Sequence, residues 1–176
     1  MNTVLEHRTW RYATKKFDAT KKVSNQDLET LMEAARLSAS SYGLQPYHFF
    51  VISDPEIREQ LKPASWGQSQ ITDASHIIVF ANATDFGEEL VDHKSNWTAR
   101  QAYIAFGNLM QAAAELKIDT CPMEGFESKK YNEILGLEDK NLNAAVVLAV
   151  GYRSEEDETQ HYAKVRKSTE ELFTLI

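Results

Sequence analysis

A chain of 176 residues, 43% apolar and 26% charged, is long enough to bury one core and ordinary in composition for a globular protein. The net charge of −7 argues against general nucleic-acid binding, which needs a basic face, and no run approaches the ~18 apolar residues of a membrane-spanning helix. The one cysteine, Cys121, excludes an internal disulfide, and Glu6, His7 and Arg8 stand where a signal peptide needs an apolar core, so the expected compartment is the reducing cytoplasm.

In chain order, Val4 to Trp10 reads as a short helix leading into a basic cluster of Arg8, Arg11, Lys15, Lys16, Lys21 and Lys22. Arg11 and Lys15 would share a face in a helix, while in an extended segment Arg11, Ala13 and Lys15 would point the same way. Ser24 opens a helix, with Asp27 at the capping-box position and Leu28, Leu31, Met32, Ala35 and Leu37 at roughly helical spacing. Small polar residues from Ser38 to Gly43 end it. Tyr47 to Ile52 is aromatic and β-branched, a strand. Asp54-Pro55 starts a helix reaching about Leu61, and Ser65 to Gln70 reads as a polar connection. Ile77 to Ala81 is a continuous apolar run, the mark of a strand buried on both faces.

Asp85 to Asn96 is acidic and weakly periodic. The strongest helix follows, with Ala102, Phe106, Leu109, Met110, Ala113 and Leu116 in one stripe and its end near Ile118. Ala105 and Gly107 keep part of its surface small, which suits a core helix or a dimer seam. Proline and glycine then take Asp119 to Phe126 out of regular structure. Ser128 caps a short helix, Leu142 to Val150 is a second buried strand, and Gly151 stops it. A second basic cluster, Lys164, Arg166 and Lys167, precedes an apolar tail, Phe173 to Ile176, that is expected to dock, a partner's sheet edge being one candidate. With no repeats or linkers, residues 1–176 read as a single α+β domain, a small sheet covered by helices.

The common chemical motifs are absent: no phosphate-cradling loop, no dinucleotide fingerprint, no metal-ligand spacing among the five histidines. His48 and His76 read as structural residues at strand starts, and Cys121 as a buried inert thiol. What remains is two cation clusters on an acidic chain and a glycine-containing loop. They suit a small anionic ligand, such as a phosphate-bearing cofactor that carries the chemistry while the protein positions it.

Several stretches, in order and across nearly the whole chain, resemble the FMN-dependent nitroreductases. They are Arg11 to Asp18, Ser38 to Ser41 with Gln45 to Phe49, Asp73 to His76, Trp97 to Asn108, Pro122 to Phe126, and Lys164 to Arg166. The resemblance implies a mostly antiparallel sheet, a long central helix at the interface of an obligate homodimer, and FMN in two clefts between the subunits. It implies that Arg11 serves the phosphate and Lys15 the ring O2 and ribityl region, within a motif that includes Tyr12 and Ala13. Lys164 and Arg166 would form the second phosphate pair, Arg166 as a bidentate fork. Ser38, Ala39, Ser40 and Ser41 would reach the flavin of the other subunit, and Gln101 would lie near the ribityl chain. Pro122 and Met123 lead into Glu124 and Gly125, whose backbone N–H would face flavin N5. The implied activity is ping-pong hydride transfer from NAD(P)H to nitroaromatics, quinones or related acceptors, with no metal, nucleic acid or membrane involved. Flavin, enone or dehalogenating reduction, a flavin-binding protein with little turnover, and a cofactor-free interaction domain are the alternatives. The sequence departs from the family pattern twice: Gly67 and Gln70 stand where asparagine and lysine usually contact the ring, and the segment from Asp85 to Trp97 is short. Relatives carry a helical excursion there, so a more open flavin face is expected.

Overall fold

The computed structural model describes residues 3–86 and 96–176. Helices α1 (Thr3–Trp10) and α2 (Asn25–Arg36) precede strand β1 (Tyr47–Ile52). Then follow α3 (Pro55–Ala64), α4 (Gln70–Asp73), β2 (His76–Ala83), α5 (Trp97–Glu115), β3 (Asp119–Met123), α6 (Ser128–Leu135), β4 (Leu142–Gly151) and α7 (Thr169–Leu172). The strands form one sheet in the order β1-β2-β4-β3, every neighbouring pair antiparallel.

Local chemistry sets the starts of two helices. The Ser24 hydroxyl accepts the Asp27 N–H at 3.1 Å, and Asp54 accepts those of Glu56 and Ile57 at 2.8 and 3.2 Å, with Pro55 in the first turn. Each cap satisfies N–H groups that a helix leaves orphaned. α3 runs past the expected stop at Leu61 to Ala64, and the connection after it winds into the short α4.

Two expectations need correcting. The stretch from Asp119, expected to be irregular, is strand β3 up to Met123, paired with β4 from Asp119↔Gly151 to Met123↔Val147. Pro122 is tolerated because β3 lies at the end of the strand ladder, where a missing N–H costs little. Ser128 does not cap α6: its hydroxyl turns to Asn143 Oδ1 and the Ala144 carbonyl, and Glu127 occupies the cap position.

Both central strands are buried on both faces, as their continuous apolar runs require. On one face Ile78, Phe80, Val146, Leu148 and Val150 meet Leu31 and Ala35 of α2 and Ala102, Ala105, Phe106, Leu109 and Ala113 of α5. On the other, Ile77, Val79, Ala81, Val147 and Ala149 meet Leu61 and Ala64 of α3, Ile71 of α4 and Tyr131 of α6. A bulge at Phe80/Ala81, opposite Val146 and Ala144, admits Ala145 as an extra residue and restores the alternation beyond it. The long helix α5 therefore lies on the core, while Tyr103 and Ile104 on its other side remain partly exposed. From His161 to Ile176 every residue is exposed, the apolar tail included.

Candidate functional site

The segment from Arg11 to Lys15 is extended, which decides between the two geometries its spacing allowed. It lies along the free side of β3. Ala13 forms a parallel bridge with Thr120, and the Thr14 N–H donates to the Thr120 carbonyl at 3.2 Å. Its path is fixed from outside by Asp157, which is 1% exposed. Oδ2 of Asp157 accepts the Tyr12 hydroxyl at 2.9 Å and the Lys15 and Lys16 N–H groups at 2.8 and 3.2 Å. Oδ1 accepts the Thr159 N–H and hydroxyl at 3.0 and 2.5 Å. Burial alone would raise this carboxyl's pKa, but the donors from Thr159, Lys15, Lys16 and Tyr12 hold it at about 2. Behind the segment, Arg153 forms a fork on Asp119 Oδ1, 2.9 Å from Nε and 2.6 Å from Nη2. Its guanidinium lies 4.4 and 4.6 Å from the ring centroids of Trp10 and Tyr12.

The second basic cluster returns to the first. Lys164 Nζ donates to the Arg11 carbonyl, although 153 positions separate the two in sequence. Burial lowers the Arg11 pKa, and Arg166 and Arg8 lower it further. Lys164 is lowered by burial and then by Arg11, Arg166 and Arg153. Lys164 thus touches Arg11, and Arg166 lies near enough to act on both. Among the described residues none of Arg11, Lys15, Lys164 or Arg166 is in an ion pair, and the buried Nε of Arg11 has no hydrogen-bond partner. A buried donor without a partner is costly, so the chain's own groups leave the hydrogen bonding of this cluster incomplete. Lys15 and Gln70 both lie near Cys121 of β3. Burial raises the Cys121 thiol pKa, against the Lys15 charge, a hydrogen bond with Gln70 and the Arg11 charge, and such a thiol is unreactive.

At the far end of β3, Gly125 abuts the connection between α3 and α4. Gln68 Nε2 bridges the carbonyls of Ser65 and Gly125 at 3.0 and 2.9 Å. A Cβ on Gly125 would stand 2.9 Å from Cζ3 of Trp66. Trp66 itself holds a left-handed φ of 55°, next to Gly67 at 73°. The Glu124 carboxylate is engaged by the Tyr103 hydroxyl of α5. Burial and that carboxylate raise the Tyr103 pKa.

Ser38 to Ser41 sit elsewhere, between α2 and β1. Gln101 Oε1 accepts the Ser41 N–H at 2.8 Å, Asn108 Nδ2 donates to Ser38 Oγ at 2.9 Å, and Ser40 Oγ accepts the Gln45 N–H at 3.0 Å. The structure thus brings Arg11, Tyr12, Ala13 and Lys15 alongside β3, which holds Pro122, with Gln70 near Cys121, Lys164 on the Arg11 carbonyl and Arg166 near both; it brings Met123, Glu124 and Gly125 to the strand's end beside Gly67, and Ser38, Ala39, Ser40 and Ser41 to Gln101. No hydrogen bond among the described residues joins the last group to the cations. The shortened segment expected between Asp85 and Trp97 lies largely outside the described residues. Sequence reasoning missed Asp157, Arg153 and Tyr103. Asp157 sits in an acidic run that reads as surface, and its one local signal is a threonine two positions on, the spacing of an Asx-type turn.

Comparison with known proteins gives a consistent result. The sequence model of the nitroreductase family matches residues 9–93 and 68–152. A Staphylococcus epidermidis protein provisionally named NAD(P)H nitroreductase is 35% identical over 216 aligned positions, covering 99% of this chain and 97% of that protein. That alignment is longer than the 176-residue chain, so the relative carries residues this chain lacks. Among solved structures, a nitroreductase-like protein from Bacillus subtilis, ydfN, superposes with a TM-score of 0.86 at 18% identity over 99% of both chains. A nitroreductase-like protein from Exiguobacterium sibiricum, solved in complex with FMN, gives 0.83 at 20% identity, covering 98% of this chain and 97% of its own.

Proposed function

The chain belongs to the nitroreductase family, and from that premise we propose that it is an FMN-dependent oxidoreductase that uses NAD(P)H to reduce nitroaromatics, quinones or related acceptors as a homodimer. One observation carries the cofactor assignment: a cluster of Arg11, Lys164 and Arg166, none in an ion pair among the described residues and with the buried Arg11 Nε unpartnered among them, on a chain of net charge −7. An acidic protein gains nothing by gathering Arg11, Lys164 and Arg166 unless an anion completes them.

The residues fit a flavin phosphate at that cluster. Arg11 and Arg166 offer planar N–H forks and Lys164 a point charge. Lys15 and Gln70, both near Cys121, would address the polar side of the ring, with a cation at one position and a neutral amide at the other. Gly125 keeps the end of β3 free of side-chain bulk, and Glu124 and Gly125 offer backbone N–H groups there. Because Tyr103 engages the Glu124 carboxylate, that loop's contribution to the site is its backbone. FMN, when bound, would accept a hydride from NAD(P)H and pass it to the acceptor, the two taking turns at one face. Ser38 to Ser41 are held by Gln101 and Asn108 with no hydrogen bond to the cations, so a second copy supplies them to complete each site. The residues lacking relative to the longer relative are assigned to the roof over the ring, which leaves the acceptor face open.

The visible spectrum of the protein, followed by anaerobic NADPH or NADH and then a nitroaromatic, tests this reading. Flavin absorbance that bleaches and then recovers is expected; a protein that gains no flavin absorbance with added FMN overturns it. Arg166→Ala is expected to weaken FMN binding by about 1.5–3 kcal/mol, the typical worth of a charge-assisted hydrogen bond. Unchanged affinity in a fluorescence titration would remove the phosphate assignment.

A further inference from the structure

We propose that Asp157 is the positioning residue of the cofactor site: one buried carboxylate sets the path of the segment bearing Arg11 and Lys15, and anchors the segment that brings Lys164 and Arg166 back to it. The proposal rests on the FMN reading above. Asp157 takes five hydrogen bonds, three from Tyr12, Lys15 and Lys16 and two from Thr159. The N–H groups of Lys15 and Lys16 are consecutive and turn onto one oxygen, an anion-holding arrangement that the protein fills with its own carboxylate. Those two backbone donors are therefore spent internally, and a ligand meets Lys15 only through its side chain. On the other side of Asp157, Thr159 is locked to Oδ1, and five residues further Lys164 closes on the Arg11 carbonyl. The stretch from Asp157 to Lys164 is thus a clasp fastened at both ends to the first basic segment.

Asp157 is not the only tie on the first basic segment. Thr14 to Thr120, Asp18 to Tyr152 and Ser154 to Lys16 are backbone bonds that tie the same segment to the sheet without Asp157. Its electrostatic effect also runs opposite to its geometric one. A negative charge beside the cations opposes phosphate binding, so deleting the charge alone would tighten binding, whereas loosening the clasp would weaken it.

The test compares the wild type with Asp157→Asn and Asp157→Glu in titrations of FMN and of riboflavin, which lacks the phosphate, with melting of the unliganded protein read alongside. Asp157→Asn is expected to lose FMN affinity by roughly tenfold, the scale of one hydrogen bond to a charged group, and to lose most of the preference for FMN over riboflavin. Asp157→Glu, which keeps the charge, is expected to recover part of both. FMN affinity in Asp157→Asn equal to or tighter than the wild type overturns the proposal, as does a proportional loss of both ligands. A wild type that binds neither ligand instead overturns the flavin reading on which it rests. If Asp157→Asn does not fold, Tyr12→Phe and Thr159→Ala each release one side of the clasp. Either one reducing the FMN preference supports the proposal, and both leaving it unchanged overturns it.

Discussion

Two arginines, one buried and one half-buried, illustrate how differently a desolvated cation can be used. Arg58, 4% exposed, spends its guanidinium on the carbonyls of Ile71, Thr72, Ala74 and Ser75 and so closes the end of α4. Arg11 keeps a buried Nε without a partner. The first is complete as structure; the second has hydrogen-bonding capacity that the described residues do not use. Asp157 is the third case, an anion whose whole hydrogen-bonding capacity is used inside the chain. Its folded pKa, about 2, is below the ~3.9 of an unfolded aspartate. The unfolded chain therefore takes up the proton first. The stabilisation is fully present above about pH 4 and is lost as pH falls through about 2, and it is worth on the order of 2 kcal/mol. Denaturant unfolding of the wild type and Asp157→Asn at neutral pH and near pH 2 checks this. The stability gap is expected to narrow by that amount in acid, and a gap independent of pH would contradict it.

Among the elements, legibility followed the range of the interactions that decide them. The starts of α2 and α3 were readable because Ser24 and Asp54 each cap N–H groups two or three residues away. β2 and β4 were readable because burial on both faces writes an unbroken apolar run. β3 was not, because Asp119 and Pro122 have low strand propensity and only the facing β4 makes this stretch a strand. Gly151 was read as a stop to β4, but its role is a close approach. A Cβ there would lie 2.9 Å from the backbone nitrogen of Ser75 and 3.0 Å from Phe17 Cδ1. Backbone cannot swing aside, so Gly151→Ala is expected to destabilise the fold by about 1–3 kcal/mol in denaturant unfolding. An unchanged midpoint would show that this end of the sheet yields more easily than its packing implies.

At the scale of the whole molecule, the chain ends in apolar residues that its own core does not use: Phe173, Leu175 and Ile176 are all exposed. The proposed homodimer gives them a place. Sedimentation should return about twice the 20.0 kDa chain mass, and removing residues 173–176 should shift the equilibrium toward monomer and weaken FMN binding with it. A monomer that binds FMN tightly would contradict the two-subunit site. The sequence by itself determined the α+β class, the doubly buried strands, the capped helices, the two cation clusters and the family resemblance. Each of these rests on periodicity, on neighbours within a few residues, or on motifs in a fixed order. Only the tertiary structure decided that Lys164 meets Arg11, that Asp157 is a buried clasp and not acidic surface, that the Glu124 carboxylate is held by Tyr103, and that Asp119 to Met123 is a strand. Those facts depend on which segments meet across the fold. The stretch from Asp119 to Phe126, expected to be irregular, is thus a strand up to Met123, whose free side carries the extended cationic segment and whose end carries the glycine.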